Sequence, residues 1–194
     1  MKTKIGIIGN GNVGSALERG LKQAGQEVKS AGNDPAAVRG VADWAEVIVL
    51  AVPFGALGEV VKTAGSALDG KVVVDVTNAL NPDMSLALGF TTSGAEELQK
   101  KVPRARVVKA FNTVFAQNMG TGHVGTQPLT ALVAGDDASA KGVVLELAKG
   151  IGFEPVDAGP LQNARLLEPL GYLNIQLGYV LGMGTGIGFR VVRG

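Results

Sequence analysis

The 194-residue chain contains no cysteine and one histidine, His123. The missing thiols exclude disulfides, thiolate metal sites and cysteine nucleophiles, and fit a reducing compartment; a cytoplasmic protein is expected. His123 lies in MGTGHVGTQP, a polar glycine-rich loop where a solvated imidazole is the expectation. Charge is scarce and balanced, with 18 Lys and Arg against 17 Asp and Glu. That composition carries no basic field of the kind nucleic-acid binding leaves, so small-molecule partners are expected instead. Long apolar runs are also missing. The first twelve residues, MKTKIGIIGNGN, are broken by glycine too early to form a signal-peptide core. Leu170–Phe189 has the roughly 20 residues of a membrane span, but it includes Asn174, Gln176 and Thr185 and ends in glycines. Neither export nor a membrane anchor is expected. No nucleophile-elbow spacing and no carboxylate or histidine cluster with metal-site spacing occurs, so no catalytic residue and no metal ligand is assigned. Lys109, in VVKAFN, is the one basic residue open to an active-site role; otherwise it flanks a strand.

What the chain does have is alternation. Strand-length runs rich in Val and Ile stand at 4–9, 27–32, 46–52, 71–76, 106–111 and 129–135, mostly without polar alternation, as in a sheet covered on both faces. Stretches with helical spacing lie between them at 13–24, 56–67, 96–102 and 138–149. Strand and helix in turn predict an α/β fold, a doubly wound parallel sheet of the Rossmann type. The texture changes after EPVDAGP at 154–160, where strand-like runs stop. The expected division is a nucleotide-binding domain over 1–157 and a small helical C-terminal segment over 158–194. In that segment a helix from about 162 to 181 carries Leu166, Leu170, Leu173, Leu177 and Leu181 at helical spacing, a stripe expected to pack on the sheet domain and on a second copy of the chain. A homodimer is therefore expected. Arg165 and Glu168, three apart, are expected to pin this helix.

The most specific chemical signal of the first half is GNGNVG at Gly9–Gly14, a G-x-G-x-x-G pattern that follows a strand and opens a helix closed by Gly25. Gly9 serves a tight turn, Gly11 lets backbone approach a pyrophosphate, and Gly14 lets helix and strand pack closely. With Asn10, Asn12 and Val13 they form the expected phosphate loop, at a helix N-terminus that favours anions. The second strand ends in KSAGNDP. No acid stands at its tip to take a ribose 2′-hydroxyl, which tilts the expectation toward NADP, with NAD open. Ser30, Gly32 and Asn33 are the candidate ribose and phosphate contacts, with Lys29 or Arg39 supplying charge. Asp34 reads as an N-cap ahead of Pro35. Ala51, Val52 and Pro53 after the third strand, and Asn78 after the fourth, fall where open α/β sheets bind ligands.

These motifs, together with VVKAFNT at 107–113, VAGDD at 133–137, DAGPLQNARLLEPL from Asp157 and GMGTGIGF at 182–189, resemble the NADP oxidoreductases dependent on coenzyme F-420, over essentially the whole chain. The resemblance implies NADP on the glycine loop, a deazaflavin (coenzyme F-420) or flavin-like second substrate against the nicotinamide, and direct hydride transfer between the two rings. It further implies an acceptor site at Asn112, Thr113, Met183 and Gly184, with GMGTG letting backbone approach the acceptor ring. Archaeal members carry a Ser-Arg pair for the 2′-phosphate where this chain has Gly32–Asn33, so a narrow NADP preference is expected. The chain also resembles the soluble domain of six-transmembrane metalloreductases. A hydroxyacid dehydrogenase, or a nucleotide-sensing module without turnover, are the alternatives; the former needs a catalytic Lys in a long helical domain, and this chain has no Lys after Lys149.

Overall fold

The computed structural model describes residues 2–194. In chain order the elements are β1 (Lys4–Ile8), α1 (Asn12–Gln23), β2 (Glu27–Ala31), α2 (Pro35–Trp44), β3 (Val47–Leu50), α3 (Leu57–Ala64), β4 (Val72–Asp75), α4 (Gly94–Lys101), β5 (Arg106–Lys109), α5 (Ala116–Met119), the short strands β6 (His123–Val124) and β7 (Gln127–Pro128), β8 (Thr130–Gly135), α6 (Ala138–Ile151), β9 (Glu154–Asp157) and α7 (Ala164–Ile175). One seven-stranded sheet runs in the order β2-β1-β3-β4-β5-β8-β9, and β6 and β7 form a separate hairpin.

Period-2 alternation sends successive side chains of each strand to opposite faces. Ile5, Ile7, Val47 and Val49 meet α1 and α6 through Leu17, Leu21, Val144 and Leu147. Ile8, Ile48 and Leu50 meet α2, α3 and α4 through Val38, Leu57 and Leu98. The sheet is thus covered on both sides, as the uninterrupted apolar runs require. Local signals hold where expected: the Asp34 carboxylate accepts the Ala37 N–H at 2.7 Å and caps α2, and Gly25 takes the left-handed φ of +83° that ends α1.

Three features depart from the sequence reading. β8 pairs antiparallel to β5, because the chain returns from β5 through α5 and the β6–β7 hairpin rather than through a crossover helix. β9, over Glu154–Asp157, pairs parallel to β8 as a seventh strand; its Pro155 is tolerated because the strand lies at the sheet edge. In α7 the face turned inward is not the leucine stripe. Ala164, Leu167, Glu168, Gly171 and Asn174 are buried, whereas Leu166, Leu173 and Leu181 are 61%, 48% and 68% exposed. A close approach to polar groups at the sheet rim, described below, selects small and polar residues for that face. The helical winding runs on to Val180, close to the expected end, with its last stretch over Gln176–Val180 wound as a π-helix and closed by the Leu181 N–H on the Gln176 carbonyl at 2.9 Å.

Candidate functional site

β1 and β3 are adjacent while β2 lies outside β1, so the strand order reverses between β1 and β3 and opens a crevice at their carboxyl ends. Gly9 is locked there. Its φ is +111°, and a Cβ would fall 2.2 Å from the Ala51 carbonyl oxygen. At Gly14 a Cβ would stand 1.8 Å from the Gly9 carbonyl oxygen, so helix α1 lies directly on the turn. Gly11 is the opposite case, with no atom within 4 Å of where its Cβ would be. It is open to the crevice, and no side chain caps the first turn of α1, leaving those N–H groups free for an anion.

A cavity of about 490 Å³ is lined by Gly9, Asn10, Gly11, Gly32, Asn33, Ala51, Val52 and Pro53, along with Val38, Glu59, Val60 and Thr63 of the flanking helices. It continues past Gly11, Asn12 and Val13 into a second hollow bordered by Pro53, Phe54, Thr77 and Asn78, and then into a third bordered by Asn78, Asn112, Phe115, Gly171, Asn174 and Tyr179. The three together form one trough from the tip of β2 to helix α7. Ser30 is not among its lining residues; its hydroxyl faces Glu18 on α1, whose pKa is held below the usual carboxylate value mainly by Lys22 and further by Ser30. Lys29 stacks on the Trp44 ring at 4.5 Å, and Arg39 pairs with Asp43 at 3.1 Å. Neither cation supplies charge to the trough. Glu59 is the charged residue that lines its β2 end, a position the sequence did not single out.

At the far end the side chains are amides. Asn112 donates from Nδ2 to Asn78 Oδ1 at 2.9 Å and to the Leu167 carbonyl at 2.8 Å, and Asn78 donates back to the Asn112 carbonyl at 3.0 Å. Asn174 donates to the carbonyl of buried Thr113 at 3.2 Å. Among the described residues, the buried oxygens Asn112 Oδ1, Asn174 Oδ1 and Thr77 Oγ1 are left without a partner. Each of the three has essentially no exposed surface, so they lie within the wall of the trough rather than on its face. Phe111, immediately before Asn112, takes a φ of +64°, a left-handed backbone unusual for an aromatic residue and placed where the chain turns into the trough.

Met183 and Gly184 are placed elsewhere. Met183 lines a separate groove of about 450 Å³ with Leu129, Leu177, Ile187 and Phe189, and Asn174 alone borders both that groove and the trough. Gly184 has a φ of +76° and donates its N–H to the Gly178 carbonyl at 3.0 Å.

Beneath the amide end lies a cluster that the sequence reading missed. Lys109, Asp75 and Glu168 are each 0% exposed. The Lys109 ammonium donates to Asp75 Oδ2 at 2.9 Å and to the Thr77 carbonyl at 2.6 Å, and lies 2.8 Å from Glu168 Oε1. Asp75 Oδ1 accepts the Thr77 N–H, and Glu168 accepts the Gly94 and Ala95 N–H groups at the start of α4. Burial alone would push the ammonium's pKa down, but the two carboxylates outweigh it and hold it above the usual lysine value. Arg165 turns to Glu96, in a two-pronged pair at 2.9 and 2.7 Å. Arg165 and Glu168 thus pin α7 as expected, each through a partner on or beneath α4 rather than through each other.

Residues 34–79 match the family model described as NADP oxidoreductase, coenzyme F-420-dependent. The chain is 29% identical over 173 residues to the F-420-dependent NADP reductase of Methanothermobacter marburgensis, covering 82% of this chain and 77% of that one. It is 32% identical over 181 residues to Metalloreductase STEAP3 of Rattus norvegicus, covering 86% of this chain but spanning 36% of that protein's length. A crystal structure from Arthrobacter sp. FB24, provisionally described as an F-420-dependent NADP reductase, superposes with a TM-score of 0.90 at 30% identity, covering 98% of this chain and 100% of that one.

Proposed function

The chain belongs to the family of NADP oxidoreductases dependent on coenzyme F-420, and on that footing we propose that it passes a hydride between NADP(H) and a deazaflavin, coenzyme F-420, or a flavin-like acceptor. The observation that carries this reading is the chemistry of the trough's far end. The two hollows there are lined by carboxamides and apolar groups, and Tyr179 is their one titratable side chain among the described residues. Such a site positions rings and offers little acid–base chemistry, the one proton that accompanies the hydride onto the acceptor being drawn from solvent, which suits hydride transfer between rings better than reduction of a carbonyl by acid catalysis.

The residues fit a dinucleotide. Open Gly11 and the free first turn of α1, from Asn12 and Val13, receive the pyrophosphate; Asn10 and the tip of β2 at Gly32 and Asn33 flank the adenosine ribose; Ala51, Val52 and Pro53 form the wall opposite. When bound, the nicotinamide supplies the hydride. Asn78, Asn112 and Asn174 form its end of the trough, where their carboxamides flank the ring. No acid stands at the tip of β2, which favours NADP, but no cation lines that end among the described residues and Glu59 does, which holds the preference over NAD to a small margin. The acceptor enters from the side of Asn112 and Thr113, and the Met183–Gly184 segment guards that approach across Asn174. Residues 158–194 close the trough onto the 1–157 domain, and the exposed Leu166, Leu173 and Leu181 face is buried in a homodimer. Among the described residues no helix is long and apolar enough to cross a membrane.

The test mixes the purified protein with NADPH and oxidised coenzyme F-420, or with flavin mononucleotide, and follows both chromophores. Stoichiometric bleaching of the deazaflavin with NADPH oxidation is expected. Tight NADPH binding with no exchange to either acceptor would overturn the hydride-transfer reading and leave a nucleotide-binding module.

A further inference from the structure

Lys109, Asp75 and Glu168 form a buried cluster with formal charges that sum to −1, and nothing in the proposed chemistry uses it. Its location is specific. Lys109 holds the Thr77 carbonyl at 2.6 Å and Asp75 holds the Thr77 N–H at 2.9 Å, so the cluster lies under the Thr77–Asn78 floor of the trough. Glu168 directly follows Leu167, whose carbonyl receives Asn112. The carboxylate oxygens face donors: Asp75 meets the ammonium and an amide N–H, and Glu168 meets the ammonium and two amide N–H groups. The positive end of α4 offsets part of the excess charge, but only part, since a helix terminus carries about half an elementary charge. An ion triad of this burial is a poor way to gain stability alone, because desolvation of three charges consumes most of the Coulomb attraction.

We propose that this cluster sets the redox poise of the bound nicotinamide couple, its excess negative charge favouring the cationic oxidised ring over the neutral reduced ring and so making bound NADPH a stronger hydride donor. The inference rests on the nucleotide orientation proposed above. Asp75, Lys109 and Glu168 touch no ligand in this scheme; they act through the floor they support and through their field, which burial protects from salt screening.

The experiment measures dissociation constants for NADP⁺ by calorimetry and for NADPH by fluorescence. Three variants are compared with the unmodified protein: Glu168→Gln, Asp75→Asn and the double variant Lys109→Met with Glu168→Gln. The first two bring the cluster to zero charge. The double variant restores −1 on Asp75 alone. The ratio of NADP⁺ to NADPH dissociation constants is expected to rise on the order of tenfold in both neutralised variants, the effect of a unit charge over roughly 10 Å at an effective dielectric near 20. It is expected to return toward the original value in the double variant. A tenfold rise raises the bound couple by about 30 mV for two electrons. A purely structural role would weaken both nucleotides together, or neither, and an unchanged ratio in folded neutralised variants overturns the proposal. If the unmodified protein binds neither nucleotide, the reading of the trough fails and the inference falls with it.

Discussion

Replacing Gly171 with Ala tests the amide end of the trough most directly. A Cβ there would stand 2.5 Å from Asn78 Oδ1, 2.7 Å from the Asn112 carbonyl oxygen and 2.9 Å from Asn112 Nδ2. On an isolated helix the substitution would stabilise by about 1 kcal/mol. Here the methyl group either lifts α7 or breaks hydrogen bonds within the Asn78–Asn112–Leu167 group, of which there are three at 2.8–3.0 Å. At about 1 kcal/mol net for each, their loss outweighs the gain in helix propensity by up to roughly 2 kcal/mol. In a chain of this size that lowers Tm by about 4–8 °C. The kinetic effect is larger than the thermodynamic one, since a displacement of ~1 Å beside the reacting ring costs on the order of 100-fold in turnover. The glycine loop lies apart from these contacts, so NADPH affinity should stay within a few-fold. Calorimetric unfolding, fluorescence titration with NADPH and hydride exchange with the deazaflavin give the three readouts on one variant. A raised Tm with undiminished turnover would refute the close-approach reasoning.

Other perturbations separate binding from folding. Gly11→Leu should abolish dinucleotide binding with Tm nearly unchanged, because its φ of −72° suits any residue and its Cβ has open space; retained affinity by calorimetry would unseat the phosphate loop. Gly14→Ala should instead destabilise the fold, its Cβ meeting the Gly9 carbonyl oxygen at 1.8 Å, and denaturant unfolding reports the loss. Asn33→Arg should widen the NADP over NAD preference through a bidentate contact to the 2′-phosphate; tighter binding of NADH than NADPH by the unmodified protein would overturn that assignment. Arg165 lowers the pKa of Glu96 from 4.5. A depressed carboxylate stabilises above its unfolded pKa and loses that contribution as pH falls through the folded value. Arg165→Met should therefore cost stability at pH 7 and progressively nothing as the pH drops below about 4.5, as thermal unfolding across pH would show.

The parts of the molecule legible in the sequence are those specified by neighbours along the chain. Gly9, Gly14, Gly25 and Asp34 each answer to a turn or cap within a few residues, and the apolar runs of β1, β3, β4 and β5 report burial on two faces. Direction is not encoded in such a run, so nothing in LTALVAG distinguished the antiparallel β8 from its parallel neighbours. β9 was obscured by Pro155, whose missing donor is harmless only because the strand lies at an edge. The stripe on α7 misled for a physical reason: large leucines normally mark the inward face, but a helix that must approach Asn78 and Asn112 closely buries Gly171 and leaves the leucines outside. The Asp75–Lys109–Glu168 cluster joins residues from three separate elements, and no local spacing announces it. Lys109 carried the one available hint, a charged residue that directly follows the buried Val107 and Val108 and precedes buried Ala110.

The placement of Glu168 gives the nascent chain a distinctive final step. Its carboxylate accepts the Gly94 N–H, a partner made 74 residues earlier on the ribosome. Until α7 emerges, the start of α4 has no acceptor for its Gly94 and Ala95 N–H groups, and Lys109 has one carboxylate instead of two. The floor of the trough is therefore complete only once α7 has docked on α4. A single carboxylate on α7 thus ties the start of α4 to the wall of the trough across 74 residues of sequence.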